Sequence, residues 1–324
     1  MRFINMIFAE MLRHIDYDSL CISDYSRNYI KRMLPVMDYY TDIYNRCLDD
    51  MLRRVGKPAS EVCIVDYGGG HGFFSILAKQ RGVGSVVYID YNPKASETVS
   101  AVANKVGIGP DIVLTGDSAT LRDWCKCNCV SPDALMGMDV IEHIYRLDSF
   151  FADVYDMNPK IRMLFTTGST PYNPIVVHRL HRFMEMDEYG DGDFVGFLEL
   201  RCKYIVKKFP SMDDRTLDRW AKCTRGLKYS DIEAAVSNGS PFDVGDAYNT
   251  CDPVTGSWTE RILPIRTYRN YAKCHGALVK VDKGFYNAHR NGIKGLLSQG
   301  LNALLHLPGT LFIAPFIILN FEKE

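Results

Sequence analysis

The sequence predicts an α/β protein: a doubly wound, mostly parallel seven-stranded sheet with an N-terminal helical cap and a large insert after strand 5. Three observations predict it. Residues 62–77 run from an apolar strand pattern through four closely spaced glycines into a helical pattern. Four more apolar runs follow by residue 168, alternating with helical segments, which is the signature of parallel strands joined by crossover helices. Two further strand patterns, at 277–281 and 316–321, complete the count near the end of the chain.

Each element follows from its residues. In the first segment, Tyr29, Met33, Val36, Tyr40, Ile43 and Cys47 recur at helical spacing until Gly56-Lys57-Pro58 ends the pattern. Such helices either cover a bound ligand or complete the core. The first strand, 62–65, ends in Asp66 and turns through Gly68, Gly69, Gly70 and Gly72 into Phe73, Phe74, Ile76 and Leu77. Glycines are needed where a chain reverses after a strand and exposes backbone N–H groups at a helix start. The second run, 86–90, ends in the carboxylate of Asp90, and the third, 112–114, leads to Gly116-Asp117-Ser118. The fourth, 134–138, reaches Asp139-Val140-Ile141-Glu142-His143, and the fifth, 163–165, ends in Thr166-Thr167-Gly168.

The insert, 171–263, carries helical patterns at 173–186, 212–223 and 230–237, the last with Ser230 as N-cap and Gly239 as stop. Its acidic stretch 187–193 lacks the closing glutamate of a calcium loop and reads as a solvated turn. Residues 249–260 are rich in turn formers around Trp258, and loops on a rigid scaffold commonly carry specificity. A helix at 268–275 precedes the sixth strand, and a helix at 293–305 precedes the seventh. The apolar stretch 301–321 is broken by Pro308, Gly309 and Pro315, so integral membrane insertion is not expected, while peripheral contact stays open.

Composition narrows the class. A net charge of −1 gives no general attraction to nucleic acid or to an acidic membrane. Ten cysteines without a C-x-x-C pair suggest free thiols in a reducing compartment. Cys125, Cys127 and Cys129 are spaced too tightly for an ordinary structural zinc site. Residues 1–16 include Glu10, Arg13 and Asp16 and no small-residue cleavage site, so a cytoplasmic protein without a signal peptide is expected.

A dinucleotide fingerprint fits poorly, because its last glycine would fall on Phe73 or Ser75. The acid-x-G-x-G-x-G pattern of Asp66, Gly68, Gly70 and Gly72 instead resembles the first motif of class I S-adenosylmethionine-dependent methyltransferases. That resemblance implies a Rossmann-like domain built from residues 56–170 and 264–324, a cap over 1–55, and a substrate-binding or lid region over 171–263. It implies S-adenosylmethionine as cofactor, held by Asp66, Gly68, Gly70, Gly72, Asp90, Tyr91 and Asp139, with Asp117 and Ser118 near adenine. Asp90, 18 residues past Gly72, is then the acceptor for both ribose hydroxyls.

Methyl transfer to a hydroxyl needs alignment and a proton acceptor. Asp139, Glu142 and His143 would share a helical face if a helix begins near Asp139. The pattern resembles the ubiquinone-pathway O-methyltransferases, and more weakly the enzymes that 2′-O-methylate small-RNA 3′ ends. The resemblance implies His143, Glu142 and Asp139 as catalytic residues and His178, His181 and Arg182 as substrate residues. It also admits a divalent cation, Mg²⁺ or Mn²⁺, on Asp139, Glu142, His143, His178 and His181. Simpler roles stand beside these: Asp139 as a helix cap, and His178 and His181 as surface residues of a helix. The expected activity is O-methylation of a small molecule or sugar-containing metabolite. An RNA 3′-terminal methyltransferase and a non-catalytic cofactor-binding partner subunit are the alternatives.

Overall fold

The computed structural model describes residues 2–192 and 194–323. Three helices come first: α1 (Arg2–Arg13), α2 (Asp24–Met33) and α3 (Met37–Val55). The sheet is then built from β1 (Cys63–Tyr67), α4 (Phe73–Gln80), β2 (Ser85–Asp90), α5 (Pro93–Val106), β3 (Ile112–Thr115), α6 (Ser118–Cys127), β4 (Ala134–Met138), α7 (Leu147–Met157) and β5 (Arg162–Thr167). Four helices follow: α8 (Pro174–Tyr189), α9 (Phe197–Lys208), α10 (Asp214–Cys223) and α11 (Tyr229–Asn238). The chain closes with α12 (Ile265–Cys274), β6 (Ala277–Lys283), α13 (Ile293–Leu305) and β7 (Ile317–Lys323).

The sheet order is β3-β2-β1-β4-β5-β7-β6, with β1 to β5 parallel and β7 antiparallel between β5 and β6. The doubly wound, mostly parallel, seven-stranded architecture expected from the sequence is therefore the one observed. Period-two alternation explains why both faces are covered. Ile64, Val86, Met136, Leu164 and Ile318 enter one core with α1, α3 and α4, while Val65, Val87, Leu135, Phe165 and Leu319 enter the other with α7 and α12. Winding reverses between β1 and β4, and a crevice opens there at the strands' carboxyl ends.

Local chemistry sets the helix ends. Asn92 caps α5 and Asn173 caps α8, each followed by proline, and Asp117 caps α6 through Thr120 N–H. Gly56 and Gly239 close α3 and α11 in the left-handed conformation. Ser230 is not the cap of α11: the helix begins a residue earlier, with Lys228 at the cap position. Helix α9 escaped the sequence reading because it carries little apolar periodicity.

The acidic stretch is not a solvated turn where it matters most. Glu188 lies inside α8, buried, and meets the fully buried Arg201 guanidinium of α9 at 2.6 Å and 3.2 Å. Thr250 Oγ1 donates to the same carboxylate at 2.7 Å, tying the turn-rich loop to the helices. Asp193 lies outside the described residues. Of the clustered thiols, Cys125 is buried, whereas Cys127 and Cys129 are exposed at the end of α6.

Candidate active site

The crevice holds two connected chambers, of 280 Å³ and 740 Å³, that share Tyr25, Gly68, Asp90, Asn92 and Asp139. Gly68, Gly70 and Gly72 all have positive φ, as the tight turn after β1 requires. Their neighbourhoods differ. A Cβ on Gly68 would strike Val140, and one on Gly72 would strike Val99, while one on Gly70 would project into open space. Gly70 is thus the point at which backbone can press against a ligand.

Asp90 ends β2 on the far side of this turn. Its carboxylate accepts Gly70 N–H at 2.9 Å and Asn92 N–H at 2.8 Å, so it is oriented before any ligand arrives. Burial raises its pKa, and these two amides oppose the rise. Asp66 sits beneath the turn, at the floor of the smaller chamber. It is buried, accepts Ser75 Oγ–H at 2.6 Å, and burial pushes its carboxyl up to about 7. Gly69 packs directly over its carboxylate and the Tyr88 ring, so Asp66 also supports the turn from below.

The N-terminal helices close the smaller chamber with Tyr25, Tyr29, Tyr40 and Tyr44. His71 of the glycine turn stacks on Tyr29 with centroids 4.8 Å apart, and burial lowers its pKa to about 4, so it is neutral near pH 7. Tyr91, Asp117 and Ser118 line the larger chamber. Tyr91 is exposed there, Asp117 is engaged as the α6 cap, and Ser118 Oγ–H donates to Asp153 at 2.7 Å. Asp153 joins the same wall and was not read from the sequence.

Asp139, Glu142 and His143 are not arranged on a helix as the sequence predicts. No helix begins at Asp139: that residue has φ +52°, a left-handed conformation unusual for a side chain larger than glycine, and a single 3₁₀ turn follows at Ile141–His143. The three side chains therefore do not share a helical face. Asp139 faces the crevice and lines both chambers, and Thr166 holds its backbone N–H through both carbonyl and hydroxyl at 3.1 Å. Glu142 turns inward instead. It is buried, neither carboxylate oxygen has a hydrogen-bond partner among the described residues, and burial reinforced by Asp139 and Glu260 holds its pKa well above the usual range. Asp139 is raised too, by its enclosed position and by the charge of Glu260.

His143 lines the larger chamber, and its Nδ1 lies 2.7 Å from the carbonyl of Trp258. A carbonyl only accepts, so Nδ1 carries the proton and Nε2 keeps its lone pair. Trp258 N–H donates in turn to the His143 carbonyl at 3.3 Å. This two-bond clasp fastens the turn-rich loop to the crevice. Gly256, φ +82°, lets the loop approach the Tyr145 ring, where a Cβ would come within 2.9 Å. Lys228, Thr255 and Ser257 complete the wall. Glu260, also with positive φ, accepts Ser169 Oγ–H at 3.0 Å. The sequence pointed to this loop by its turn residues, but nothing in it singled out Glu260 or the Trp258 carbonyl.

The expected metal set does not form. Among the described residues, no group of three or more His, Cys, Asp or Glu side chains is placed to hold a metal ion. His178 is exposed on α8. His181 stacks on Tyr248, centroids 3.9 Å apart, with Nε2 3.4 Å from Asp246. Arg182 is exposed on the same helix. None of these three lines either chamber, so the substrate role given to them is not supported by position. The reason is helical phase: α8 turns Val176, Leu180 and Met184 into a small core of its own, which aims the intervening histidines elsewhere.

No protein-family model matches the chain, and no curated protein does. Solved structures do. Magnesium protoporphyrin IX methyltransferase from Synechocystis PCC 6803, with bound SAH, is 12% identical over 100% of this chain and 97% of that one, with a TM-score of 0.42. A SAM-dependent methyltransferase from Archaeoglobus fulgidus is 11% identical over 87% and 94%, with a TM-score of 0.38. MtNAS in complex with MTA and tNA is 17% identical over 50% of this chain, with a TM-score of 0.34, and the match spans only 54% of that protein. Likeness at this level concerns the fold, which rests on the strand order itself.

Proposed function

We propose that the protein is an S-adenosylmethionine-dependent methyltransferase acting on a hydroxyl of a small molecule or sugar-containing metabolite. The observation that carries this reading is the Asp90 carboxylate, fixed by Gly70 and Asn92 amides at the mouth of a crevice that continues to Asp139 and His143. A carboxylate held at the end of β2 beside an open glycine turn suits a ribose diol. When bound, the cofactor would supply an electrophilic methyl group on a sulfonium.

The chain's own residues do the rest in this reading. Asp90 accepts the ribose hydroxyls, Gly70 allows close backbone approach, and the tyrosines of the N-terminal helices exclude water from the smaller chamber. Asp117, Ser118 and Asp153 offer polar edges to a base in the larger one. His143 Nε2 accepts the proton of the attacking hydroxyl, and the Trp258 carbonyl stabilises the imidazolium that results. A divalent cation has no place in this reading, since the side chains expected to hold it point apart.

One observation favours a second reading, a basic nitrogen as methyl acceptor. Asp139 places a carboxylate in a crevice rimmed by tyrosine rings, with Glu260 near enough to act on it electrostatically, a setting that suits a cation. The two readings separate on the bond formed, oxygen–methyl or nitrogen–methyl, which mass spectrometry of the product distinguishes. Of the cations on the insert, Lys203 and Lys208 are paired with Glu199 and Glu233, while Arg179, Arg182 and Lys207 stay exposed, so the RNA reading is left to the same product analysis. Calorimetric titration with S-adenosylhomocysteine tests the class. Micromolar binding is the expected result, and absence of binding would overturn it. Binding without turnover on any acceptor would favour the partner-subunit reading.

A further inference from the structure

Helix α13 is packed inside out. Its inward side is Gly295, Ser298 and Leu305, with Asn302 clamped to the backbone of Tyr286. Asn302 Oδ1 accepts Tyr286 N–H at 2.7 Å and Nδ2 donates to Tyr286 C=O at 2.9 Å, so a polar clamp holds the helix to the body beside the buried Leu305. The outward side carries Ile293 (76% exposed), Leu296 (68%), Leu297 (62%) and Leu304 (48%), and the following turn adds Leu307 (53%) and Phe312 (57%). At about 100° per residue these helical positions lie within one face. Water-facing helices present the opposite pattern, and scattered exposed leucines do not line up in this way.

Charge identifies what covers the face. No aspartate or glutamate occurs from residue 283 to 321, although the chain as a whole has 39 acidic residues against 38 lysines and arginines. Arg290 and Lys294 stand exposed at the start of the helix and form no ion pair among the described residues. A second copy meeting this face with its own α13 would bring the same cations and offer no counter-charge. Anionic lipid headgroups above an acyl layer would satisfy both the leucines and the cations. Thirteen residues span about 20 Å, too short to cross a bilayer, and no helix of the described residues is long and apolar enough to do so.

We propose that α13 and the turn after it form an interfacial membrane-docking surface, lying in the plane of an anionic phospholipid bilayer with the leucine face inserted. The inference is independent of the methyl-transfer reading. Its test is cosedimentation of the full chain with vesicles of phosphatidylcholine containing about one-third phosphatidylserine, beside vesicles of phosphatidylcholine alone. Binding to the mixed vesicles that weakens with salt is expected. Leu296→Ser and Leu297→Ser should each reduce partitioning about tenfold. Both side chains face water in the free protein, so the thermal midpoint should hardly move. Arg290→Glu with Lys294→Glu should abolish the preference for anionic vesicles. Failure of the wild-type chain to bind either vesicle would overturn the proposal, as would undiminished binding by the serine variants. So would a dimer in sedimentation velocity that the serine variants dissociate without any vesicle binding, which would assign the face to a second copy.

Discussion

Replacing Asp90 by alanine tests the centre of the site. In the free protein its carboxylate holds two backbone amides, Gly70 N–H at 2.9 Å and Asn92 N–H at 2.8 Å. Losing those bonds to a charged acceptor costs about 3–6 kcal/mol of stability, at roughly 1.5–3 kcal/mol each. The bound nucleoside would lose bonds of the same kind. Two ribose hydroxyls donating to a charged acceptor contribute about 1.5–3 kcal/mol each, so the sum is about 3–6 kcal/mol, or roughly two to four decades in affinity. Asp90→Asn separates the two effects, since it keeps one acceptor oxygen and the shape of the side chain. It should lose about half of that free energy. The assay is calorimetric titration with S-adenosylhomocysteine, with thermal melts of each variant to confirm folding. A folded Asp90→Ala protein binding within about twofold of wild type would refute the ribose assignment, because no residual contact compensates for a missing charged acceptor at that scale.

Other outcomes follow from the same geometry. His143→Ala should abolish turnover while S-adenosylhomocysteine affinity stays nearly unchanged, and a fully active variant would remove His143 from the mechanism. Asp66, raised by burial from 3.8 to about 7, binds its proton more tightly folded than unfolded. Stability from this group is therefore fully present below about pH 4 and is lost as pH rises through about 7, by on the order of 4 kcal/mol. In the free protein Asp66→Asn should flatten that slope relative to wild type in denaturant titrations from pH 4 to 8, and parallel curves would contradict the assignment. Glu188→Gln leaves the Arg201 guanidinium charged and without its carboxylate in a buried site. About 3–5 kcal/mol of stability should be lost, read as a lower urea midpoint, and a loss below about 1 kcal/mol would show the pair to be solvated.

Much of the scaffold was readable because its rules are local. Apolar runs with period two, glycines at a reversal and Asn-Pro or Asp caps depend on neighbours in sequence, so strands, crossovers and the positions of Gly70 and Asp90 could be read directly. The late strand was legible for the same reason, bounded by Pro315 and built from Ile317, Leu319 and Phe321, while its antiparallel direction came from the tertiary structure. The corner around Asp139, Glu142 and His143 was not. Whether Asp139 opens a helix depends on its backbone, and contact with Thr166 and the packing of Val140 over Gly68 and Gly137 decided for a left-handed residue and a 3₁₀ turn. That one dihedral sends Asp139 to the crevice and Glu142 into the core. The histidines of α8 followed the phase of a helix whose core is its own, and the tautomer of His143 was set by a carbonyl 115 positions away. Sequence by itself determined the sheet, the glycine turn and the acid that faces it, since these arise from short-range sterics and hydrogen bonding. Only the tertiary structure decided which titratable groups meet, because meeting is a matter of long-range packing, and packing is specified by the whole chain at once.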